Sequence, residues 1–132
     1  MTDIATLLDE PSTTVAVVGA TDNSTKYGYV IYRDLKRKGY AVFPVNPNRP
    51  EVDGDPAYPS LDKLPETPTI VNIVVPPSVT VRILKECLEL GLNNVWLQPG
   101  AESPESLAFL QEHGFNYLAN ACIMVQTRTA AR

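Results

Sequence analysis

Residues for proton transfer and metal binding are scarce in this sequence. It contains one histidine and two cysteines, Cys87 and Cys122, which lie far apart and match no metal-binding spacing such as C-x-x-C. One histidine is also too few for a convincing choice of Ser-His-Asp residues. Zinc sites and triad hydrolases are therefore disfavoured, and we expect two reduced thiols, as in a cytoplasmic protein.

Excess positive charge and long apolar runs are also lacking. The chain has 11 Lys and Arg against 15 Asp and Glu, a formal net charge of −4, whereas nucleic-acid binding needs a clustered basic surface. The basic residues within 33–38 lie at the end of a predicted helix and complement its negative terminus. No apolar run approaches about 18 residues, and no signal peptide opens the chain. We expect a cytoplasmic single domain over residues 1–132, with no nucleic-acid or membrane partner.

What the sequence does contain is an alternation of buried strands and amphipathic helices. Thr14–Val18 is short, β-branched and almost wholly apolar, which is typical of a strand buried on both faces. Helical spacing follows between Tyr27 and Leu35, and Gly39 ends that helix. Further strands are predicted at residues 40–45, 69–75, 94–97 and 115–118, with a two-residue strand near 57–58. The pattern predicts an α/β protein, a three-layer Rossmann-like fold with a mostly parallel sheet of five to six strands.

Such a sheet binds ligands outside the carboxyl ends of its strands, at the switch point between the first strand and the strand that ends at Val75. The loop after the first strand leads directly into a helix, so backbone N–H groups and a positive helix end converge there. This geometry binds phosphate. The loops predicted to meet at this edge are 19–27, 46–49, 75–78, 98–101 and 119–122.

Two sequence features typical of NAD-binding sites are missing, which limits the nucleotides that this site could bind. Gly19 is followed by Ala20-Thr21 rather than by a G-x-G-x-x-G motif, and the second strand ends in Asn46-Pro47 without a carboxylate. NAD is therefore disfavoured. Arg49 could instead bind a ribose phosphate, as found in NADP or in the 3′-phosphate of coenzyme A. An NADP-binding oxidoreductase domain and a regulatory interaction module without a ligand stay open as alternatives.

Five short motifs follow the strands of the predicted sheet. They are Val-Val-Gly-Ala-Thr (17–21), Pro-Val-Asn-Pro (44–47), Val-Val-Pro-Pro (74–77), Gln-Pro-Gly (98–100) and Asn-x-Cys (120–122). In their order and spacing, these motifs resemble the small bacterial CoA-binding proteins, which are similar to the N-terminal domain of the succinyl-CoA synthetase alpha subunit and of ADP-forming acyl-CoA synthetases. The resemblance extends over residues 12–125 and implies coenzyme A or an acyl-CoA as the ligand.

The resemblance also implies which residues contact the ligand. The first loop would hold the CoA phosphates, the 46–49 loop would face the adenosine 3′-phosphate end, and Val75 with Pro76 would border the nucleotide or pantetheine. Lys26 and Arg49 are the cations of the candidate loops. The candidate residues are Gly19, Ala20, Thr21, Ser24, Lys26, Tyr27, Asn46, Pro47, Arg49, Val75, Pro76, Gln98, Gly100 and Asn120.

Two glycines and a tyrosine in this region have further interpretations. Gly28 is expected to allow close helix–strand packing as much as close approach of a phosphate. Gly19→Val is expected to block a phosphate site while leaving the fold intact. Tyr27 has the apolar helical spacing of a core residue, which we favour over a ligand contact.

Catalysis is not expected from this chain. The similar synthetases phosphorylate a histidine in a second domain, whereas His113 precedes a glycine at a predicted helix end, where a structural role is favoured. Cys122 could form a mixed disulfide with CoA, but a small packed residue is the preferred interpretation. Asp22 and Glu102 are interpreted as solvated loop charges. We therefore expect a non-catalytic carrier, sensor or subunit, with another protein subunit as a partner.

Overall fold

The computed structural model describes residues 3–127 and contains a parallel sheet with helices on both faces. The strands are β1 (Thr14–Val18), β2 (Ala41–Val45), β3 (Glu51–Val52), β4 (Asp55–Pro56), β5 (Ile70–Ile73), β6 (Asn94–Leu97) and β7 (Asn116–Ala119). The helices are α1 (Ile4–Leu7), α2 (Tyr27–Arg37), α3 (Pro77–Leu90), α4 (Pro104–Glu112) and α5 (Ile123–Gln126), and a 3-10 turn covers Leu61–Lys63.

The strand order of the main sheet is β2-β1-β5-β6-β7, and each neighbouring pair is parallel. The chain turns back at the β1/β5 boundary, since β2 lies on one side of β1 and β5 on the other. The predicted three-layer α/β fold is thereby confirmed, with five strands in the parallel sheet. The switch point lies where the sequence predicted it.

Strand β1 shows why its sequence is apolar after Thr14. All five of its residues are buried. Ala16 and Val18 pack into the core cluster that includes Leu84 of α3, whereas Val15 and Val17 pack into the opposite cluster with residues of α2. Because both faces of the sheet are covered, no position of the strand favours a polar side chain.

The predicted strand near 57–58 is shifted and incomplete. The structure forms a two-stranded antiparallel hairpin from β3 and β4, and Tyr58 makes only an isolated bridge to Val45. The turn residues Asp53 and Gly54 both have positive φ, 53° and 78°, as a two-residue hairpin turn requires. Strands of two residues carry no periodic signal, so the sequence revealed the turn but not its two arms.

The basic residues at the end of α2 are engaged in ion pairs with aspartates. Lys36 Nζ lies 2.8 Å from an Asp55 carboxylate oxygen, and Lys38 Nζ lies 2.7 Å from Asp34. Arg33 is paired in the same way with Asp22, at 2.5 Å. The cluster therefore holds neighbouring segments together. None of the helices within residues 3–127 has the length and apolar character to cross a bilayer.

Candidate functional site

A cavity of about 530 Å³ opens at the carboxyl edge of the sheet, beside the β1/β5 switch point. Four of the five predicted loops contribute to its wall, while the loop at 119–122 does not. The structure therefore brings together most of the residues that the sequence placed in one site. Those lining the cavity are Gly19, Thr21, Lys26, Tyr27, Asn46, Arg49, Val75, Pro76 and Gly100.

The other five candidate residues lie outside the lining of this cavity. Ala20 is fully buried, Ser24 is exposed outside the lining, and Pro47 faces an adjoining cavity. Gln98 is only 2% exposed, and its Oε1 accepts the backbone N–H of Ile123 at 2.8 Å. The structure thus gives Gln98 a helix-capping contact in the core.

Asn120 occupies a turn rather than the cavity wall. It is exposed and has a φ of 54°, a left-handed conformation that asparagine tolerates better than most residues. Its neighbour Ala121 accepts the indole N–H of Trp96 at 2.8 Å. The 119–122 loop therefore packs over the far half of the sheet edge and seats α5.

Six lining residues were not among the candidates. Four of them lie within or beside loops whose other members were chosen, so neighbouring positions were the available signal. Gly28 was expected to allow helix packing as much as approach of a phosphate but was not among the candidates, and Val74 was assigned to the end of a buried strand. The six are Asn23, Gly28, Asn48, Val74, Pro99 and Ala101.

Gly28 brings α2 into direct contact with the turn that follows β1. A Cβ atom built on Gly28 would lie 2.0 Å from the carbonyl oxygen of Gly19, far inside van der Waals contact. A side chain at this position would push the helix away from the strand. The predicted packing role of Gly28 is thus visible in the geometry.

Gly19 is also constrained, less by steric contact than Gly28 but in addition by its backbone conformation. Its φ is +105°, a conformation that side chains rarely adopt, and a Cβ atom there would lie 3.0 Å from the Val74 carbonyl oxygen. The expectation that Gly19→Val leaves the fold intact is therefore wrong. Backbone strain and contact with β5 make this glycine structural, whatever it binds.

Positive charge is concentrated where α2 begins. No side chain caps the N-terminus of this helix, and its first residues, Tyr27 and Gly28, line the cavity. The start of a helix carries partial positive charge. Lys26 occupies the N-cap position, and no salt bridge joins it to a carboxylate within residues 3–127. Tyr27 is 63% exposed beside it. The preferred interpretation of Tyr27 as a core residue is wrong.

The first two loops are fixed to each other before any ligand is present. The Asn46 side-chain amide donates to the carbonyl of Ala20 at 2.9 Å and accepts the backbone N–H of Asn48 at 2.8 Å. Within the first loop, Thr21 Oγ1 accepts the N–H of Asn23 at 3.1 Å. This wall of the cavity is therefore preorganised.

Asp22 is integrated into this structure. Its Oδ1 accepts the backbone N–H of Asp53 at 2.9 Å and pairs with Arg33 at 2.5 Å, while its Oδ2 lies 4.0 Å from Arg49. The bond from the Asp53 backbone, followed by that from Arg33, holds the pKa of Asp22 below its ordinary value. Asp22 is an exposed loop residue, as interpreted from the sequence, and the structure adds these contacts to it.

Glu102 also has a structural contact. One of its carboxylate oxygens accepts the backbone N–H of Gly100 at 2.9 Å. The bond fixes the tight turn that forms the rim of the cavity at residues 98–101. Glu102 thus lies in a loop, as interpreted from the sequence, and also has a local structural contact.

A second cavity of about 320 Å³ adjoins the first. The two share the wall formed by Gly19, the 46–48 loop and the Val75-Pro76 segment. Residues of α3, among them Arg82 and Glu86, close its other side. The site thus consists of two cavities that share part of their lining.

Reactive side chains lie away from the cavity lining. Burial raises the pKa of the Cys87 thiol to about 12, and Cys122 is half-buried at the N-cap of α5. His113 is the C-cap residue of α4, and its ring centroid lies 4.3 Å from that of Phe109. Within residues 3–127, no three His, Cys, Asp or Glu side chains are placed to hold a metal ion. The lining offers N–H groups, cations and apolar surface.

Comparison with known proteins adds an independent line of observation. The sequence profile of the CoA binding domain family matches residues 13–128. The alpha subunit of an ADP-forming acetate–CoA ligase II from Pyrococcus furiosus is 38% identical over 82 residues, which cover 61% of this chain and 18% of that subunit. The uncharacterized protein YneT from Bacillus subtilis is 29% identical over 111 residues, covering 84% of this chain and 82% of YneT.

The fold is shared with a solved protein of similar length. A conserved hypothetical protein from Pyrococcus furiosus superposes with a TM-score of 0.84 at 44% sequence identity. The superposition covers 87% of this chain and 99% of that protein. The chain therefore matches small proteins nearly end to end, whereas it spans 18% of the length of the ligase subunit.

Proposed function

Because the chain belongs to the CoA binding domain family, we propose that it binds coenzyme A or an acyl-CoA in the cavity beside the switch point. The start of α2 carries this proposal. An uncapped helix N-terminus, two closely packed glycines and Lys26 line one open space of about 530 Å³. Backbone N–H groups at a positive helix end bind phosphate well, and coenzyme A presents a pyrophosphate.

Different walls of the cavity receive different parts of the ligand. The pyrophosphate lies against the 19–28 loop, where glycines let it approach the backbone. The 46–49 loop faces the adenosine 3′-phosphate end, and Arg49 adds a cation on that side. Val75 and Pro76 supply apolar surface beside the nucleotide or the pantetheine arm.

The chain holds its ligand as a carrier, sensor or subunit and does not convert it. No histidine, cysteine or carboxylate is present among the cavity-lining residues of the described chain, which supports binding rather than acid–base or thiol chemistry. A relative is named the alpha subunit of a ligase, so we include another protein subunit as a partner. The setting is cytoplasmic, and residues 1–132 act as one domain.

Calorimetric titration with coenzyme A tests the proposal. We expect saturable binding that is unaffected by excess NADPH, and native mass spectrometry of freshly purified protein to show a copurifying species near the mass of CoA. Binding of NADPH that CoA cannot displace would favour an oxidoreductase domain instead. No heat and no thermal shift at millimolar CoA would reject the proposal and favour an interaction module without a ligand.

A further inference from the structure

The second cavity continues the site on the side of α3. It shares Asn46, Asn48, Val75 and Pro76 with the first cavity. A ligand whose pyrophosphate lies at the start of α2 can therefore extend into this space along a common wall. The same wall includes the loop that we expect to face the ribose phosphate.

Most polar side chains around the second cavity are already bound within the protein. The Ser60 hydroxyl donates to the Asp62 carboxylate. The Glu86 carboxylate accepts the backbone N–H of Leu61 at 3.1 Å, and the Asn46 amide joins the two loops. These groups have little capacity left for an anionic ligand.

Arg82 differs from them in both charge and availability. It lines the second cavity from α3, and no salt bridge connects it to a carboxylate in the described residues. Arg49, in contrast, lies 4.0 Å from Asp22. A guanidinium group offers parallel N–H donors that match a phosphate. Arg82 lies in a helix and not in one of the loops predicted to meet at the sheet edge.

We propose that Arg82 binds the 3′-phosphate on the ribose of coenzyme A and so makes the site prefer coenzyme A to dephospho-CoA. This assignment rests on the proposed function and refines it. Lys26 and the start of α2 receive the pyrophosphate, and Arg82 receives the ribose phosphate from the opposite side of the Asn46–Asn48 loop.

Removal of the negative charge of Glu86 should change coenzyme A affinity in the opposite direction from removal of the positive charge of Arg82. It lines the same cavity one helical turn after Arg82 and carries a negative charge. Glu86→Gln keeps an oxygen that can accept the N–H of Leu61 but removes the repulsion of a phosphate. This variant should bind coenzyme A more tightly while its affinity for dephospho-CoA changes less.

The experiment measures the Kd of both ligands for each variant by calorimetry. Arg82→Gln should weaken coenzyme A binding by about tenfold or more, as expected for a charge-assisted hydrogen bond, and leave dephospho-CoA binding unchanged. Arg82→Lys should retain part of the preference. Lys85→Gln is the matched control, because Lys85 is exposed on the same helix and lies outside both cavity linings. Thermal unfolding of each variant verifies folding.

The outcomes separate this assignment from the proposed function. Equal losses for both ligands in Arg82→Gln, or a wild-type protein with no preference between them, would overturn the role of Arg82 while coenzyme A binding stands. Absence of coenzyme A binding to the wild type would overturn both. NADPH and NADH are titrated in parallel, and NADPH binding that Arg82→Gln abolishes, without binding of coenzyme A, would overturn the assignment to coenzyme A.

Discussion

The two halves of the carboxyl edge of the sheet have similar loops, but only one half opens into a cavity. Beside β1 and β5, the loops diverge around the switch point and leave a cavity walled by glycines and cations. Beside β7, the 119–122 loop leads into α5 and adds no residue to the cavity lining. Gln98 at the end of β6 bonds to Ile123 of α5, and the Ala121 carbonyl accepts the indole N–H of Trp96, although residues 99–101 line the cavity. The reversal of strand order, rather than the carboxyl edge in general, therefore creates the binding space.

Gly28→Ala should produce the largest effect on the open half. The new Cβ atom would lie 2.0 Å from the Gly19 carbonyl oxygen. Because that oxygen belongs to the backbone, relieving the clash requires a costly shift of the helix or the turn. We expect the free energy of unfolding, measured in urea, to fall by at least about 3 kcal/mol. Gly114→Ala is the comparison, because Gly114 has a left-handed φ of 69° but nothing lies within 4 Å of the new atom, so the change adds backbone strain without a steric contact. It should cost about 1 kcal/mol. Equal losses in the two variants would refute the close packing of α2.

Gln98→Leu tests the buried contact between the end of β6 and α5, which should affect stability but not ligand affinity. The change removes the acceptor for the Ile123 N–H inside the core, which should lower the free energy of unfolding by about 1–3 kcal/mol. Coenzyme A affinity should stay at the wild-type value, because Gln98 lies off the cavity lining. Denaturation and calorimetry on the same preparation measure both quantities. A large loss of affinity without a loss of stability would make Gln98 a ligand contact after all.

Lys26→Gln should lower the affinity for coenzyme A and leave the stability of the fold unchanged, the reverse of Gln98→Leu. Removal of the unpaired ammonium at the start of α2 should weaken coenzyme A binding by about tenfold and leave the melting temperature close to that of the wild type. Calorimetry at two salt concentrations should show a smaller salt dependence in the variant. If Lys85→Gln had the same effect, a general loss of charge rather than a phosphate contact would be the cause.

The smallest effect concerns pH and the hairpin that borders the open half. Hydrogen bonds from Lys36 and then Tyr32 hold the pKa of Asp55 below its usual value of 3.8. A depressed folded-state pKa stabilises the protein above the unfolded value, and this contribution is lost as the pH falls from about 3.8 through the lower folded-state pKa. Asp55→Asn should therefore flatten the decline of stability in acid, as measured by urea unfolding. An unchanged decline would show that Asp55 contributes little.

Much of the architecture was predictable because buried strands and helix faces require characteristic patterns of apolar residues. The apolar run of β1, the helical spacing of α2 and the glycines at 19 and 28 predicted a parallel sheet with a loop suited to phosphate. The motifs that resembled CoA-binding proteins predicted the family correctly. Nine of the candidate residues line one cavity, because loops at a switch point diverge by topology alone.

What the sequence could not reveal depends on contacts between distant segments. Gln98 and Asn120 follow strands in the same way as the lining residues do, and only the docking of α5 takes them out of the site. Asp22 is exposed, and only the hairpin brings the N–H of Asp53 to it. Arg82 has the spacing of an ordinary exposed helix residue, and only the fold places it beside the second cavity. These contacts are set by packing, which local patterns do not encode.

An NMR titration of ¹⁵N-labelled protein with coenzyme A compares the two halves of the edge in one experiment. The expected result is saturable shifts of the amide signals at residues 19–28, 46–49 and 74–76, with the signals at 119–122 unmoved. Shifts confined to 119–122, or no shifts at millimolar coenzyme A, would contradict a phosphate site at the β1/β5 switch point.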